Sequence, residues 1–124
     1  MKKILFALLV SLAAPLALAG AGHDHGPKYG GVVREAGNLS YELVAKADAL
    51  TLYVADHGKP MSTQGATAEA TLYAGNDKQT VALVPAGENK LSAQGSFKTG
   101  VGVRAAVTVT LTGKPAQKLT FKLK

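Results

Sequence analysis

The feature that most constrains this chain is an alternation of apolar and polar side chains with the two-residue period of a β-strand. It is clearest near the C-terminus, where one face carries Val101, Val103, Ala105, Val107, Val109 and Leu111. The opposite face carries Arg104, Thr108, Thr110 and Thr112. A helix would mix these two sets, because its faces repeat every 3.6 residues or so. The segment therefore predicts a strand with one buried face and one solvent-exposed face.

Shorter segments with the same alternation follow one another from residue 29 onward. The stretches "NLSYELVAKA" and "ALTLYVA" flank Asp48, which predicts a tight hairpin, and "AGNDKQ" and "PAGEN" are further turn signals. No segment after the first 19 residues has a helical period. About seven or eight strands at this spacing are typical of an all-β, antiparallel β-sandwich. We expect an immunoglobulin-like form, with two sheets packed face to face.

The first 19 residues, "MKKILFALLVSLAAPLALA", have the pattern of a secretory signal peptide. Lys2 and Lys3 precede an apolar run that is too short to span a bilayer, and small residues follow it. Cleavage is expected after Ala19 or after Ala21, and no Cys is present to mark a lipoprotein. The mature chain is therefore expected to be periplasmic and to have no membrane span.

Composition narrows the classes of function. Removal of residues 1–19 leaves 105 of 124 residues, enough for one domain, and lowers the formal charge from +6 to +4. The remaining positive charge is spread along the chain without a basic block, which argues against a nucleic-acid partner. There is no cysteine and therefore no disulfide. We expect residues 20–28 to be a flexible His-containing segment and residues 29–124 to be the β-sandwich domain.

Two of the three histidines lie in "GHDHGP", directly after the expected leader. In an extended chain His23 and His25 point to the same side, so both imidazoles can reach one ion, and Asp24 adds a carboxylate. Imidazole is the commonest ligand for borderline divalent metals, which favours zinc, nickel or copper. A polar Gly-rich tail that binds nothing is the alternative interpretation.

The third histidine lies in "VADHGKPM", where a strand is expected to end at Ala55 and a loop to begin. Loops at the end of a sandwich are common places for sites. Asp56, His57 and the thioether of Met61 are therefore candidates to complete a metal site. The alternative is an ordinary polar turn, with Met61 filling the core.

Other residues favour structural roles. Gly30 and Gly31 predict a tight bend before a strand, since no helix follows to bind a phosphate. The tyrosines are expected in strands and the core: Tyr29, Tyr41, Tyr53 and Tyr73. The chain offers no cysteine nucleophile, no GxSxG motif and no carboxylate pair placed together by spacing. We therefore do not expect an enzyme.

The segments "HDHGPKYGGVV" and "LYVADHGKPM" together resemble the small β-sandwich domains that accompany bacterial heavy-metal efflux systems. Such domains occur as N-terminal extensions of periplasmic adaptor (membrane-fusion) subunits and as free-standing exported proteins. The resemblance covers roughly residues 23–123. It implies metal handling in the periplasm, with His23, His25 and His57 as ligands and Asp24 as a further candidate. The coiled-coil hairpin and lipoyl-like motifs of a complete adaptor are not matched.

The resulting expectation is a periplasmic protein that binds a divalent transition metal (Zn, Ni or Cu) and buffers it or presents it to an efflux adaptor. The competing interpretation is a non-catalytic interaction module of the envelope with no metal role. The position of the N-terminal segment relative to the 57–61 loop discriminates between one composite site and two separate features.

Overall fold

In the computed structural model, residues 26–124 are described, and they form nine antiparallel strands with no helix among them. The strands are β1 (Val32–Ala36), β2 (Leu39–Lys46), β3 (Ala49–Asp56), β4 (Lys59–Pro60), β5 (Thr67–Ala74), β6 (Asp77–Pro85), β7 (Lys90–Gln94), β8 (Arg104–Thr110) and β9 (Gln117–Lys122). The expected all-β, antiparallel fold is confirmed. The hairpin at Asp48 is confirmed as well, because Lys46 pairs with Ala49 across it. Within residues 26–124, no helix has the length and apolar character needed to cross a membrane.

The strands follow the order β1-β2-β3-β7-β6-β5-β8-β9, and β4 adds to β3. We call β1, β2, β3 and β7 the front half-sheet, and β5, β6, β8 and β9 the back half-sheet. Strand β6 joins them: its residues 77–83 pair with β5, whereas Val84 and Pro85 pair with β7. The outermost strands β1 and β9 approach each other. The sheet is therefore nearly a barrel, and its two packed halves fit the expected all-β, antiparallel arrangement.

The core lies between the two half-sheets, and the alternation predicts its members well. The fully buried apolar side chains include Leu50, Leu52, Val54 and Leu91 from the front and Leu72, Val107, Val109 and Phe121 from the back. Val101 is the exception to the expected inward face, since it is 90% exposed. The reason is local: β8 begins only at Arg104, and Gly100 and Gly102, with φ of 118° and 93°, turn the chain before it.

The connections between strands are gathered at two ends of the molecule. At one end, Gly95 N donates to Asp48 O (3.1 Å) and Gln79 Nε2 donates to Ser96 O (2.9 Å). The loop containing Val101 extends from this group, which we call the Val101 end. At the other end, Thr63 N donates to Glu88 O (3.1 Å). The turn at residues 57–58 lies here, and we call it the His57 end.

Candidate functional site

Residues 26–31, which we call the strap, are fastened to the outer face of the front half-sheet by one carboxylate. Glu42 Oε1 accepts a hydrogen bond from Lys28 N (2.7 Å). Glu42 Oε2 accepts from Tyr29 N (2.8 Å) and from Gly31 N (2.8 Å). Glu42 is only 6% exposed, although it points away from the core. A buried carboxylate is tolerated when N–H donors surround it, and these charge-assisted bonds fix the strap backbone.

Two tyrosines lie beside Glu42. Tyr53 lies beside Glu42 in the β2–β3 register. The ring of Tyr29 stacks on the ring of Tyr53, with centroids 3.7 Å apart and planes inclined by 8°. Tyr29 is 46% exposed and precedes β1, so it lies outside both the strands and the core where we expected it. Both tyrosines and Glu42 line the same small cavity.

The strap also contacts the turn that carries His57. Lys28 Nζ donates to Gly58 O (3.1 Å). Gly26, Tyr29 and Gly58 are among the residues that line one small cavity of about 60 Å³ between the strap and the sheet. Such a space admits water or an ion and is far below the several hundred Å³ of a typical small-molecule pocket. The first described residues of the strap therefore lie at the His57 end of the sheet.

His57 occupies a two-residue hairpin turn between β3 and β4. Asp56 pairs with Lys59 across the turn, and the φ angles of His57 (52°) and Gly58 (85°) are both positive. This is the pattern of a type I′ turn, and histidine is one of the residues that tolerate its left-handed backbone. The expectation that a loop opens at this point is confirmed. The turn holds the His57 side chain in solvent, with 75% of it exposed.

The partner of His57 determines which ring nitrogen remains available. Its Nδ1 lies 2.6 Å from Asp56 Oδ1. With the Nδ1 hydrogen donated to this carboxylate, Nε2 is left to bind an ion. A carboxylate on the far nitrogen is the common arrangement for a metal-binding histidine, because it fixes the tautomer and raises the basicity of the ligand.

The remaining sequence candidates divide into two groups. His23, Asp24 and His25 lie outside the described residues. Met61 is half-buried and packs against the hydrophobic core, which agrees with the alternative of a core residue. Within residues 26–124, no three His, Cys, Asp or Glu side chains come together in a way that could hold a metal ion. Among these residues, Asp56 and His57 form a pair without a third such side chain beside them.

Sequence reasoning missed Glu42, which has the most extensive hydrogen bonding of this region. One signal was present: in "SYELV" an acidic residue stands between two of the most buried side chains, Tyr41 and Leu43. The expected bend at Gly30 is confirmed by its φ of 83°. Gly31 has a different role, because a Cβ there would lie 2.3 Å from Leu43 O. The absence of a side chain at Gly31 allows the strap backbone to pack directly against β2.

Comparison of the chain with models of protein families, with curated proteins and with solved structures gave no match.

Proposed function

We propose that the protein binds a divalent transition-metal ion (Zn, Ni or Cu) through His23, His25 and His57, with Asp24 as a further ligand. In this proposal it buffers the ion in the periplasm or presents it to an efflux adaptor. The observation that supports it best is the hydrogen bond between Lys28 Nζ and Gly58 O, because it brings the chain just after His25 to the turn that carries His57.

Covalent geometry extends this argument to the residues that precede the strap. Three residues of extended chain span no more than about 11 Å, so the Cα atom of His25 lies within that distance of the Cα atom of Lys28. Gly26, bonded directly to His25, lines the same cavity as Gly58. A histidine side chain adds several ångströms of reach from either side. This reach permits His25 to approach the His57 turn, which supports the proposal of one composite site.

The ligand chemistry agrees with a borderline divalent ion. Three neutral imidazoles and one carboxylate form a donor set suited to zinc, nickel or copper(II). The Asp56 carboxylate on Nδ1 orients His57 before any ion arrives. The segment before the strap must still be ordered on binding, and the entropy lost in ordering it reduces affinity. Such a site favours reversible binding and rapid transfer over tight storage.

The test is calorimetric titration of the processed protein with Zn(II), Ni(II) and Cu(II), with the chain starting at Gly20 and, separately, at Gly22. One variant is His23→Ala/His25→Ala. The second is His57→Asn, since asparagine keeps the left-handed backbone of the turn while it removes the imidazole. Lys59→Ala, in the same hairpin and exposed, is the matched control.

We expect binding in the micromolar range that disappears in the double variant and weakens about tenfold or more in His57→Asn. Lys59→Ala should bind as the unaltered protein does. Unchanged affinity of His57→Asn would reject the composite site and leave a tail site alone. Absence of binding heat for all three metals would reject the metal function, and the interaction module would become the better explanation.

A further inference from the structure

A row of basic side chains crosses the outer face of the back half-sheet near the Val101 end. In the strand register, Lys78 lies opposite Tyr73, Tyr73 opposite Arg104, and Arg104 opposite Lys122. All four side chains are exposed. Neighbouring strands are about 4.8 Å apart, so the four positions span about 14 Å. We call these four residues the basic row.

Within the described part of the chain, the charge of this row has no ionic partner. Arg104 and Lys122 are direct cross-strand neighbours, an arrangement that is destabilising for like charges. Among residues 26–124, none of the three cations of the row forms a salt bridge. The nearby Asp77 is engaged by Lys98. An external anion would therefore relieve the repulsion within the row.

A protruding apolar tip lies next to the basic row. Val101, three residues before Arg104, is 90% exposed. Val103 N donates to Gly100 O (3.1 Å) and closes the turn, and Leu123 N donates to Val103 O (2.9 Å), which ties the turn to the end of β9. A Cβ at Gly100 or Gly102 would meet nothing within 4 Å, so these glycines serve the positive φ angles of the turn. The backbone thus holds a branched apolar side chain in water at the edge of a cationic surface.

We propose that the Val101 end docks peripherally on a bilayer that carries anionic phospholipid headgroups. The three cations would bind lipid phosphates, Val101 would enter the headgroup region, and the Tyr73 ring would lie at the interface, where aromatic side chains are favoured. The rest of this face is unlike the core of a protein interface, because its central side chains are short and mostly polar: Thr71, Thr80, Ala106 and Thr120.

Docking in this orientation does not require the proposed metal site. The basic row and the His57 turn lie at opposite ends of the molecule, so the His57 turn would face away from the bilayer. The inference rests on described residues of the back half-sheet and its loops, and it stands whether or not the protein binds metal.

The test is co-sedimentation of the processed protein with vesicles of an equimolar mixture of phosphatidylcholine and phosphatidylglycerol. Pure phosphatidylcholine vesicles are the neutral comparison. Binding is expected on the anionic vesicles alone and should fall steeply as salt is added. Each basic residue near such a surface contributes about fivefold to binding, so Arg104→Ala/Lys122→Ala should bind about 25-fold more weakly. Val101→Ser should weaken binding about fivefold.

The control is Lys59→Ala/Lys114→Ala, which makes the same change in net charge at the His57 end and should bind within about twofold of the unaltered protein. All substituted positions are exposed, and circular dichroism would verify that each variant folds. Equal loss in the two double variants would show that net charge alone acts and would overturn the proposal. Full retention by Val101→Ser together with displacement by polyglutamate would overturn it in favour of an acidic protein partner. Absence of binding to anionic vesicles would overturn it outright.

Discussion

Glu42 lies on the face of β2 that the alternation assigns to water, yet it is almost completely buried. Glu42 is buried because the strap covers its side chain and supplies three backbone N–H donors at 2.7–2.8 Å. At the scale of a single residue, this carboxylate is the link between the sheet and the segment that precedes it. The contribution of Glu42 to stability depends on its two carboxylate oxygens, which together accept all three hydrogen bonds.

Glu42→Gln should therefore destabilise the protein. Glutamine has one acceptor oxygen and places an NH₂ group where the carboxylate accepts hydrogen bonds, so at least one strap N–H loses its partner. We expect a loss of about 1–3 kcal/mol in the free energy of unfolding, measured by urea denaturation. Glu69→Gln, at an exposed position of β5, makes the same chemical change and should stay within about 0.5 kcal/mol. Equal effects of the two substitutions would contradict the role assigned to Glu42.

At the scale of elements, the strap and β2 are in closer contact than any side chain at position 31 would allow. The missing Cβ of Gly31 would lie 2.3 Å from the carbonyl oxygen of Leu43 and 2.8 Å from its carbonyl carbon. Both are backbone atoms of a central strand, so the strand cannot yield as a flexible side chain would. A side chain at position 31 would therefore force the strap to move away from β2.

Gly31→Ala is accordingly expected to detach the strap and leave the sheet folded. The amides of Lys28 and Tyr29 should exchange hydrogen at least about tenfold faster, because local opening of the strap would cost at least about 1.4 kcal/mol less. Gly75→Asn is the control, since its φ of 61° suits asparagine and no atom lies within 4 Å of the added Cβ. Unchanged protection of the Lys28 and Tyr29 amides in Gly31→Ala would show that the strap does not depend on the close approach.

At the scale of the whole molecule, β6 makes the two half-sheets one structure. It pairs with β5 over seven residues and with β7 over two, and the core draws on both half-sheets. Neither half-sheet can separate without exposing the apolar face of the other. We therefore expect the described domain to unfold as a single unit.

Leu50→Ala in the front half-sheet and Leu72→Ala in the back half-sheet test this expectation. Both leucines are buried, and each substitution should cost about 2–5 kcal/mol. In urea, each variant should show one transition with a lower midpoint and an unchanged slope, the same whether followed by circular dichroism or by tyrosine fluorescence. Two separated transitions in either variant would mean that the half-sheets unfold independently.

Most strands, their buried faces and the places where they turn could be predicted from the sequence alone. These properties depend on the two-residue period of side chains and on residues such as Asp48 that favour tight turns, and both are local. The same local logic placed His57 in a turn after β3 and identified Gly30 as a bend. The prediction that Val101 faces the core was wrong, because Gly100 and Gly102 turn the backbone before β8 begins, although the alternation in sequence already includes Val101.

The strand order, the pairing of β6 with two partners and the addition of β4 became known only from the three-dimensional fold. That fold also decided the burial of Glu42 and the contact between the strap and the His57 turn. Each of these depends on hydrogen bonds between segments that are distant along the chain, such as Lys28 to Glu42 and Lys28 to Gly58. No pattern within one segment encodes its partner, because strand pairing is selected by the total burial and hydrogen bonding of the whole fold.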